Sequence, residues 1–141
     1  MAGYKHIEQC VGRYIADRYH NVVEVGVGRN FTAALLISQS GIATRCIDIK
    51  PQEPPADILF FTDDIFSPDM ALYAGLDLLY AIRPAEEMMP PLTALARRLG
   101  CDLIVYHLGF EGYRDRGEVV DCGVIIHLYR YGAKGQGSEQ C

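Results

Sequence analysis

The stretch VVEVGVGRN, residues 22–30, changes from a β-branched run to a glycine turn. Gly26 and Gly28, separated by one residue, permit a tight turn with positive φ and let a ligand lie against bare main chain. A helix is predicted to begin near Phe31, and its first N–H groups would face whatever binds at the turn. This succession of strand, glycine turn and helix is typical of a nucleotide-binding site.

The acidic residue in this stretch restricts the kind of ligand. Glu24 lies at the end of the predicted strand, where a carboxylate repels phosphate but suits a cationic or hydroxyl-bearing ligand. S-adenosylmethionine is a ligand of this kind.

Apolar runs and amphipathic segments alternate along the rest of the chain, as in parallel βαβ units. The predicted helices are Tyr4–Tyr19, Phe31–Ser40, Pro68–Tyr73 and Glu86–Leu99. The predicted strands are Val22–Val25, Ala43–Ile49, Ile58–Phe61, Leu76–Ile82, Cys101–Leu108 and Gly123–Tyr131. Pro51–Pro55 excludes a helix between the second and third strands. The pattern predicts a three-layer αβα, Rossmann-like fold with a mostly parallel sheet, in strand order 3-2-1-4-5 with the sixth strand at the edge.

Length and composition predict one domain over residues 1–132 and a disordered polar tail over 133–141. The net charge of −5 makes nucleic-acid binding an unfavoured function. No N-terminal leader and no run of apolar residues long enough to span a membrane is present, so a cytoplasmic location is expected. The five cysteines are widely spaced and predict free thiols without a metal site.

Polar residues follow four of the predicted strands, and parallel strands bring such positions to one edge of a sheet. After the glycine turn come Asp48, the pair Asp63-Asp64, and Arg83. Asp48 comes 20 residues after Gly28, about where a dinucleotide fold places the carboxylate that binds ribose hydroxyls. These residues are therefore candidates for contacts with a ligand. The alternative is that they have structural roles, with Asp48 a surface carboxylate, Asp63 and Asp64 ordinary loop residues, and Arg83 an ion-pair partner of Asp63, Asp64 or Glu86.

On these residues the chain resembles the class I S-adenosylmethionine-dependent methyltransferases. Their first motif is an acidic residue, any residue, glycine, any residue and glycine, matched by Glu24-Val25-Gly26-Val27-Gly28. The resemblance implies that this loop cradles the amino-acid part of the cofactor, that Asp48 holds the ribose, and that Asp63 or Asp64 holds the adenine.

More narrowly, the chain to about Gly132 is similar to an archaeal group called uncharacterised protein family 0146, which has the Glu-Val-Gly-Val-Gly loop and an Ile-Arg-Pro segment. Membership implies a methyltransferase-like fold with no assigned activity. Ile82-Arg83-Pro84 stands where many methyltransferases carry an asparagine- or aspartate-proline-proline motif for the substrate amine, and the acidic or amide group is absent.

Two functions stay open at this stage: a small methyltransferase that binds S-adenosylmethionine, and a non-catalytic interaction or NAD-binding module on the same fold. Phe31 disfavours NAD because it occupies the third glycine position of the dinucleotide fingerprint. One strand and a short loop after the fifth strand leave little to cover a substrate. His107, His127 and Tyr80 are expected in the core, and neither a catalytic residue, a methyl acceptor nor an oligomeric state follows from the sequence.

Overall fold

The computed structural model describes residues 3–107 and 117–132, with side chains from residue 6 onward. Its helices are α1 (Gly3–Ala16), α2 (Thr32–Gln39) and α3 (Met89–Leu99), with 3₁₀ helices at Met70–Tyr73 and Glu86–Met88. Its strands are β1 (Asn21–Val25), β2 (Ala43–Asp48), β3 (Leu59–Thr62), β4 (Leu78–Ile82), β5 (Asp102–Tyr106), β6 (Glu118–Asp121) and β7 (Ile125–Tyr129). They form one sheet in the order β3-β2-β1-β4-β5-β7-β6.

Strand β1 is the centre of the parallel part of this sheet. It pairs in parallel with β2, where Val23 lies opposite Arg45, and with β4, where Val23 lies opposite Leu79. Val22, Val23 and Val25 are all buried because both faces of the strand are covered, as their β-branched character predicts. The prediction that Val22–Val25 is a central parallel strand beside the second strand is confirmed.

The helices cover the sheet from both sides. Val11 of α1 and Ile37 of α2 pack against one face, together with Leu78 of β4. Leu92 of α3 packs against the opposite face with Leu103 of β5. The sheet therefore lies between two helical layers, and the predicted three-layer α/β architecture is confirmed.

The end of the sheet differs from the prediction. The predicted sixth strand, Gly123–Tyr131, corresponds to β7, which runs antiparallel to β5 and is not at the edge. The edge is formed by β6, which pairs antiparallel with β7 and was not predicted. A hairpin therefore follows the fifth strand, and the expectation of a single strand there is wrong. The four residues EVVD of β6 carry acidic groups at both ends and are too short to give a strand signal.

The remaining differences concern element ends. The helix predicted over Glu86–Leu99 is divided, because Pro90 and Pro91 mark a new helix start at Met89 after the 3₁₀ turn. The connection around Pro51–Pro55 contains no helix, as predicted. Among the described helices, none combines the length and the apolar character needed to cross a membrane. Most of the predicted polar loop, residues 109–116, and the predicted tail, 133–141, lie outside the described residues.

Candidate functional site

The glycine turn lies at the carboxyl end of β1 and is held against β2 by main-chain hydrogen bonds. The N–H groups of Gly26 and Val27 both donate to Ile47 O, at 2.8 and 3.2 Å. Gly26 has φ of 73° and Gly28 has φ of 58°, a region in which other residues are strained. A side chain on Gly28 would meet no atom within 4 Å, so space lies open beside this main chain.

Asp48 ends β2 next to the turn and fixes its shape. Its Oδ2 accepts a hydrogen bond from the N–H of Gly28 at 2.7 Å, and its Oδ1 accepts one from the N–H of Lys50 at 3.0 Å. The expected proximity of Asp48 to the second glycine is therefore present. Each carboxylate oxygen can accept a further hydrogen bond, since it has two lone-pair directions.

A cavity of about 300 Å³ opens beyond the ends of β1, β2 and β3, and we call it the strand-end cleft. Its walls are Val25, Gly26, Ile47, Asp48, Ile49, Asp63, Asp64, Ile65, Phe66 and Met88. Ile49 and Phe66 are unusual because these apolar side chains remain 64% and 61% exposed. The cleft thus combines exposed apolar walls with three carboxylates, a combination suited to a ligand with a flat apolar ring and polar edges.

The two adjacent aspartates of the cleft have different surroundings. Asp63 Oδ2 accepts a 2.6 Å hydrogen bond from the hydroxyl of Tyr73, and its carboxylate also accepts the N–H of Asp69. Burial, and next the bond to Asp63, raise the pKa of Tyr73, which keeps its hydroxyl as a donor. Asp64 Oδ1 accepts only the N–H of Phe66, two residues ahead, among the described contacts. Asp64 is therefore the aspartate with capacity for a ligand.

Glu24 lies on the other face of the sheet from the apolar wall formed by Val23 and Val25. It is 3% exposed, and its Oε1 accepts a 2.8 Å hydrogen bond from the hydroxyl of Tyr80. Burial raises the pKa of Glu24 to about 8; the Tyr80 bond opposes this shift, and the nearby Glu8 carboxyl adds to it. Glu24 is therefore mostly protonated at neutral pH and does not line the strand-end cleft.

Arg83 is also absent from the walls of the strand-end cleft. Its Nη1 donates to Glu8 Oε2 on α1 at 2.8 Å, and its guanidinium lies 5.6 Å from the centre of the Tyr106 ring. The ion-pair partner is therefore Glu8, and not Asp63, Asp64 or Glu86. Arg83 has φ of 56°, a strained backbone conformation of the kind found at functional sites.

Glu8 and Glu24 are the acidic members of a set that we call the α1 polar cluster, completed by Asn30, Tyr80 and Arg83. Asn30 follows the glycine turn, and its Nδ2 donates to Glu8 Oε2 at 2.9 Å while its Oδ1 accepts the N–H of Thr32 at the start of α2. Sequence reasoning missed Glu8. A signal was present, because Glu8 falls on the helix face of Val11 and Ile15, where a charged residue is out of place.

The histidines predicted to lie in the core, and the cysteines, form no metal site among the described residues. The rings of His107 and His127 stack with centroids 4.4 Å apart, and His127 is buried in β7. Within residues 3–107 and 117–132, no group of three or more potential ligands could hold a metal ion. The four described cysteines are free thiols, as predicted, and Cys141 lies outside the described residues.

Val27, although part of the turn, contributes no side chain to the cleft. It is buried and packs with Phe31 of the turn and Ala34 of α2, on the other side of the loop. A wider groove of about 720 Å³ opens on that side, between the start of α2 and Pro54. Among the described residues of its walls, Glu53 is the only carboxylate, and the group of aspartates found in the strand-end cleft has no counterpart there.

Sequence comparison relates most of the chain to one family. The model of the family described as uncharacterised protein family UPF0146 matches residues 7–122. A UPF0146 protein of the archaeon Archaeoglobus fulgidus is 31% identical over 121 residues, which cover 85% of this chain and 92% of the relative. A UPF0146 protein of Pyrococcus horikoshii is 37% identical over 106 residues, covering 72% of this chain and 79% of the relative.

Solved structures with a similar fold are methyltransferases. A Plasmodium falciparum protein assigned as a ribosomal RNA methyltransferase matches with a TM-score of 0.59 at 16% identity, covering 91% of this chain and 94% of that one. The methyltransferase domain of the bacterial protein CtHen1-C matches with a TM-score of 0.56 at 14% identity, covering 72% and 64%. At these identities the similarity shows a shared fold alone.

Proposed function

The chain belongs to the uncharacterised protein family UPF0146, and from this premise we propose that it binds S-adenosylmethionine in the strand-end cleft as a methyltransferase-like domain. The methyltransferase fold of the structural neighbours supports a cofactor of this class. The observation that carries the proposal is local. The Gly26 main chain, the Asp48 carboxylate and the exposed Phe66 ring line one cavity of about 300 Å³. The open main chain of Gly28 adjoins this cavity through its hydrogen bond to Asp48.

The residues of the cleft fit the parts of the proposed cofactor. Asp48 would accept hydrogen bonds from the ribose hydroxyls while it continues to hold the Gly28 N–H. Ile49 and Phe66 would cover the faces of the adenine, and burial of their exposed surface would favour binding. Asp64 would accept the adenine amino group, because Asp63 is occupied by Tyr73 and Asp69.

The amino-acid end of the cofactor would then extend along Gly26 and Gly28 toward the end of β4. A side chain at Gly26 would meet only Met88 Cε, at 3.8 Å, so the main chain can be approached closely. When bound, S-adenosylmethionine supplies an electrophilic methyl group. The chain contributes position, because holding the methyl donor near a nucleophile supplies much of the rate in such reactions.

NAD is the less suitable ligand for this turn. The third glycine of the dinucleotide fingerprint permits close packing of helix and strand, and Phe31 takes its place here. The Phe31 ring is buried against Ala34 and Ile58, so it fills the space that a glycine would leave. S-adenosylhomocysteine, the demethylated cofactor, is therefore the expected ligand and NAD the matched competitor.

The test is a calorimetric titration of wild-type protein and two glycine variants with S-adenosylhomocysteine. Gly28→Ala places a methyl group at φ 58° in the open space beside the turn, next to the Asp48 wall of the cleft. Gly100→Ala is the matched control, because Gly100 has φ of 67°, equally open space and a position after α3. Both variants are expected to lose about 1–2 kcal/mol of stability from the left-handed backbone.

Only Gly28→Ala is expected to weaken the affinity for S-adenosylhomocysteine, by at least tenfold, while Gly100→Ala binds as the wild type does. Equal affinities in the two variants would show that the glycine turn does not contact the ligand. Absence of binding to wild-type protein at millimolar nucleoside would overturn the proposed function.

A further inference from the structure

One buried carboxylate oxygen in the α1 polar cluster has no donor. Glu8 is 1% exposed, and its Oε2 receives both the Asn30 amide and the Arg83 guanidinium. No described donor lies within hydrogen-bonding distance of Glu8 Oε1. Buried carboxylate oxygens are costly to leave without a hydrogen bond. The pair with Arg83 therefore leaves half of the Glu8 carboxylate available to another group.

The position of Glu8 in the fold coincides with the place where such sheets bind ligands. The strand order reverses between β1 and β4, and ligands of open α/β sheets bind in the crevice at that point. Asn30 belongs to the loop after β1 and Arg83 to the loop after β4, so the two partners of Glu8 lie on either side of the reversal. Glu8 thus contacts both walls of the crevice.

The packing of α1 keeps Glu8 in this place. Gly12, one turn further along α1, lets the helix approach α2 so closely that an added Cβ would lie 3.3 Å from Ala33 O. The Arg83 side chain is 38% exposed, so the crevice reaches solvent on the side of β4. A ligand that binds Glu8 would therefore enter past Arg83 at the end of β4.

Charge indicates which ligand group suits this oxygen. Glu8 pairs with Arg83, and the neighbouring Glu24 carries a proton at neutral pH because burial raises its pKa to about 8. A cation that binds beside the two carboxyls favours the ionised form of Glu24, so its proton can leave as the cation enters. The net charge of the buried cluster is then unchanged, because the entering cation replaces the proton that leaves Glu24. An ammonium group supplies both the N–H donor and the positive charge.

Building on the proposed function, we propose that Glu8 Oε1 binds an ammonium group at the reversal point, next to the nucleoside in the strand-end cleft. Two sources share this chemistry. One is the α-ammonium of the cofactor's own amino-acid end. The other is an amine on the methyl acceptor, which would make amines the substrate class.

Three adenosine compounds distinguish these sources in calorimetric titrations. S-adenosylhomocysteine carries the α-ammonium, 5′-methylthioadenosine lacks the whole amino-acid end, and sinefungin adds an amine at the position of the transferable methyl group. The variant Glu8→Gln keeps the side-chain size and removes the charge. Asp17→Asn is the matched control, because it removes one carboxylate from the exposed turn that follows α1.

If the α-ammonium binds Glu8, Glu8→Gln lowers the preference for S-adenosylhomocysteine over 5′-methylthioadenosine by at least tenfold. If an acceptor amine binds there, the variant lowers the preference for sinefungin over S-adenosylhomocysteine by at least tenfold. Asp17→Asn leaves both ratios unchanged. Both ratios within twofold of wild type in Glu8→Gln would overturn the inference while leaving the proposed function intact.

The wild-type protein alone supplies a second readout should Glu8→Gln fail to fold. At least one of the two affinity ratios must exceed ten in favour of the compound with the additional ammonium group. Ratios near one, with all three compounds bound, would overturn the inference without the variant. If no compound binds to wild type, the proposed function and this inference are both overturned.

Discussion

Glu24 lies one residue before the end of β1, and Asp48 ends the neighbouring parallel strand β2. Their carboxyl groups nevertheless have opposite environments, since Asp48 lines the strand-end cleft and Glu24 belongs to the α1 polar cluster. Asp48 is half-buried and accepts main-chain N–H groups from Gly28 and Lys50, contacts that suit an ionised carboxylate. Glu24 is buried, and this burial, together with the nearby Glu8 carboxyl, raises its pKa and favours the protonated form, while the Tyr80 hydroxyl opposes the shift. The same type of group thus lines an open cleft in one region and belongs to a buried network in the other.

This difference arises from where each strand lies in the sheet. Strand β1 is flanked by β2 and β4 and covered by α1 and α2, so the side chain of Glu24 is enclosed. Strand β2 is flanked by β3, a four-residue edge strand, and the connection between β2 and β3 has no helix. Asp48 therefore opens to the cleft.

The largest expected effect concerns the pH dependence of stability at Glu24. The folded protein holds the Glu24 proton up to a pKa of about 8, whereas the unfolded chain releases it near the ordinary value of 4.5. The folded state binds more protons between these values, so the Glu24 contribution is fully present below pH 4.5 and is lost as pH rises to 8. We expect Glu24→Gln, which mimics the protonated carboxyl, to reduce the fall in melting temperature across this window by roughly 10 °C.

Melting curves of wild type and Glu24→Gln at intervals from pH 5 to pH 9 measure this effect. The matched control is Asp48→Asn, which lies at the end of the adjacent strand and should keep the wild-type slope. Parallel pH profiles for wild type and Glu24→Gln would show that Glu24 is ionised in the folded protein and that the contrast between the two regions is wrong.

The next effect concerns ligand affinity at Asp48. Removal of the carboxylate in Asp48→Ala is expected to weaken binding of S-adenosylhomocysteine by about 1.5–3 kcal/mol, the range for hydrogen bonds to a charged group. The fold should survive, because the Asp48 side chain forms hydrogen bonds only with nearby main-chain groups in the described part of the chain. Glu24→Ala, in contrast, should lower the melting temperature and disturb the loop. Equal loss of stability in both, with unchanged affinity, would assign both carboxylates to structure alone.

A smaller effect is expected at the apolar wall of the cleft. Phe66→Ala should weaken nucleoside binding by about 1 kcal/mol through loss of the ring face, with little change in stability because the side chain is 61% exposed. Leu59→Ala is the matched control, since Leu59 is 60% exposed on β3 and does not line the cleft. Affinity measurements that give the same value for both variants would exclude Phe66 as an adenine contact.

The sequence predicted the parallel core of the fold because its strands are continuous apolar runs between clear breakers. The proximity of the glycine turn and Asp48 could be predicted from these strands, because parallel strands bring their carboxyl ends to one edge of the sheet. Strand β6 was not found, because EVVD is short and its pairing with β7 is formed by tertiary contact. Local pattern carries little information about such an element.

The α1 polar cluster shows which part of the site could not be predicted from the sequence. Glu8 and Arg83 lie 75 positions apart, and nothing in their local sequence pairs them. The periodicity of α1 places Glu8 on the buried face, which indicates that it needs a partner but not which partner. Likewise, the different environments of Asp63 and Asp64 depend on Tyr73 and Asp69, whose positions follow from the 3₁₀ turn at Met70–Tyr73.

The most direct test of the account is a titration of isotope-labelled wild-type protein with S-adenosylhomocysteine, followed through its amide resonances, with NAD as the competitor. We predict saturable shifts of Gly26, Gly28, Asp48 and Asp64 with S-adenosylhomocysteine and no comparable shifts with NAD. Shifts of these residues with NAD alone, or no shift at saturating S-adenosylhomocysteine, would contradict the assignment of the strand-end cleft to this cofactor.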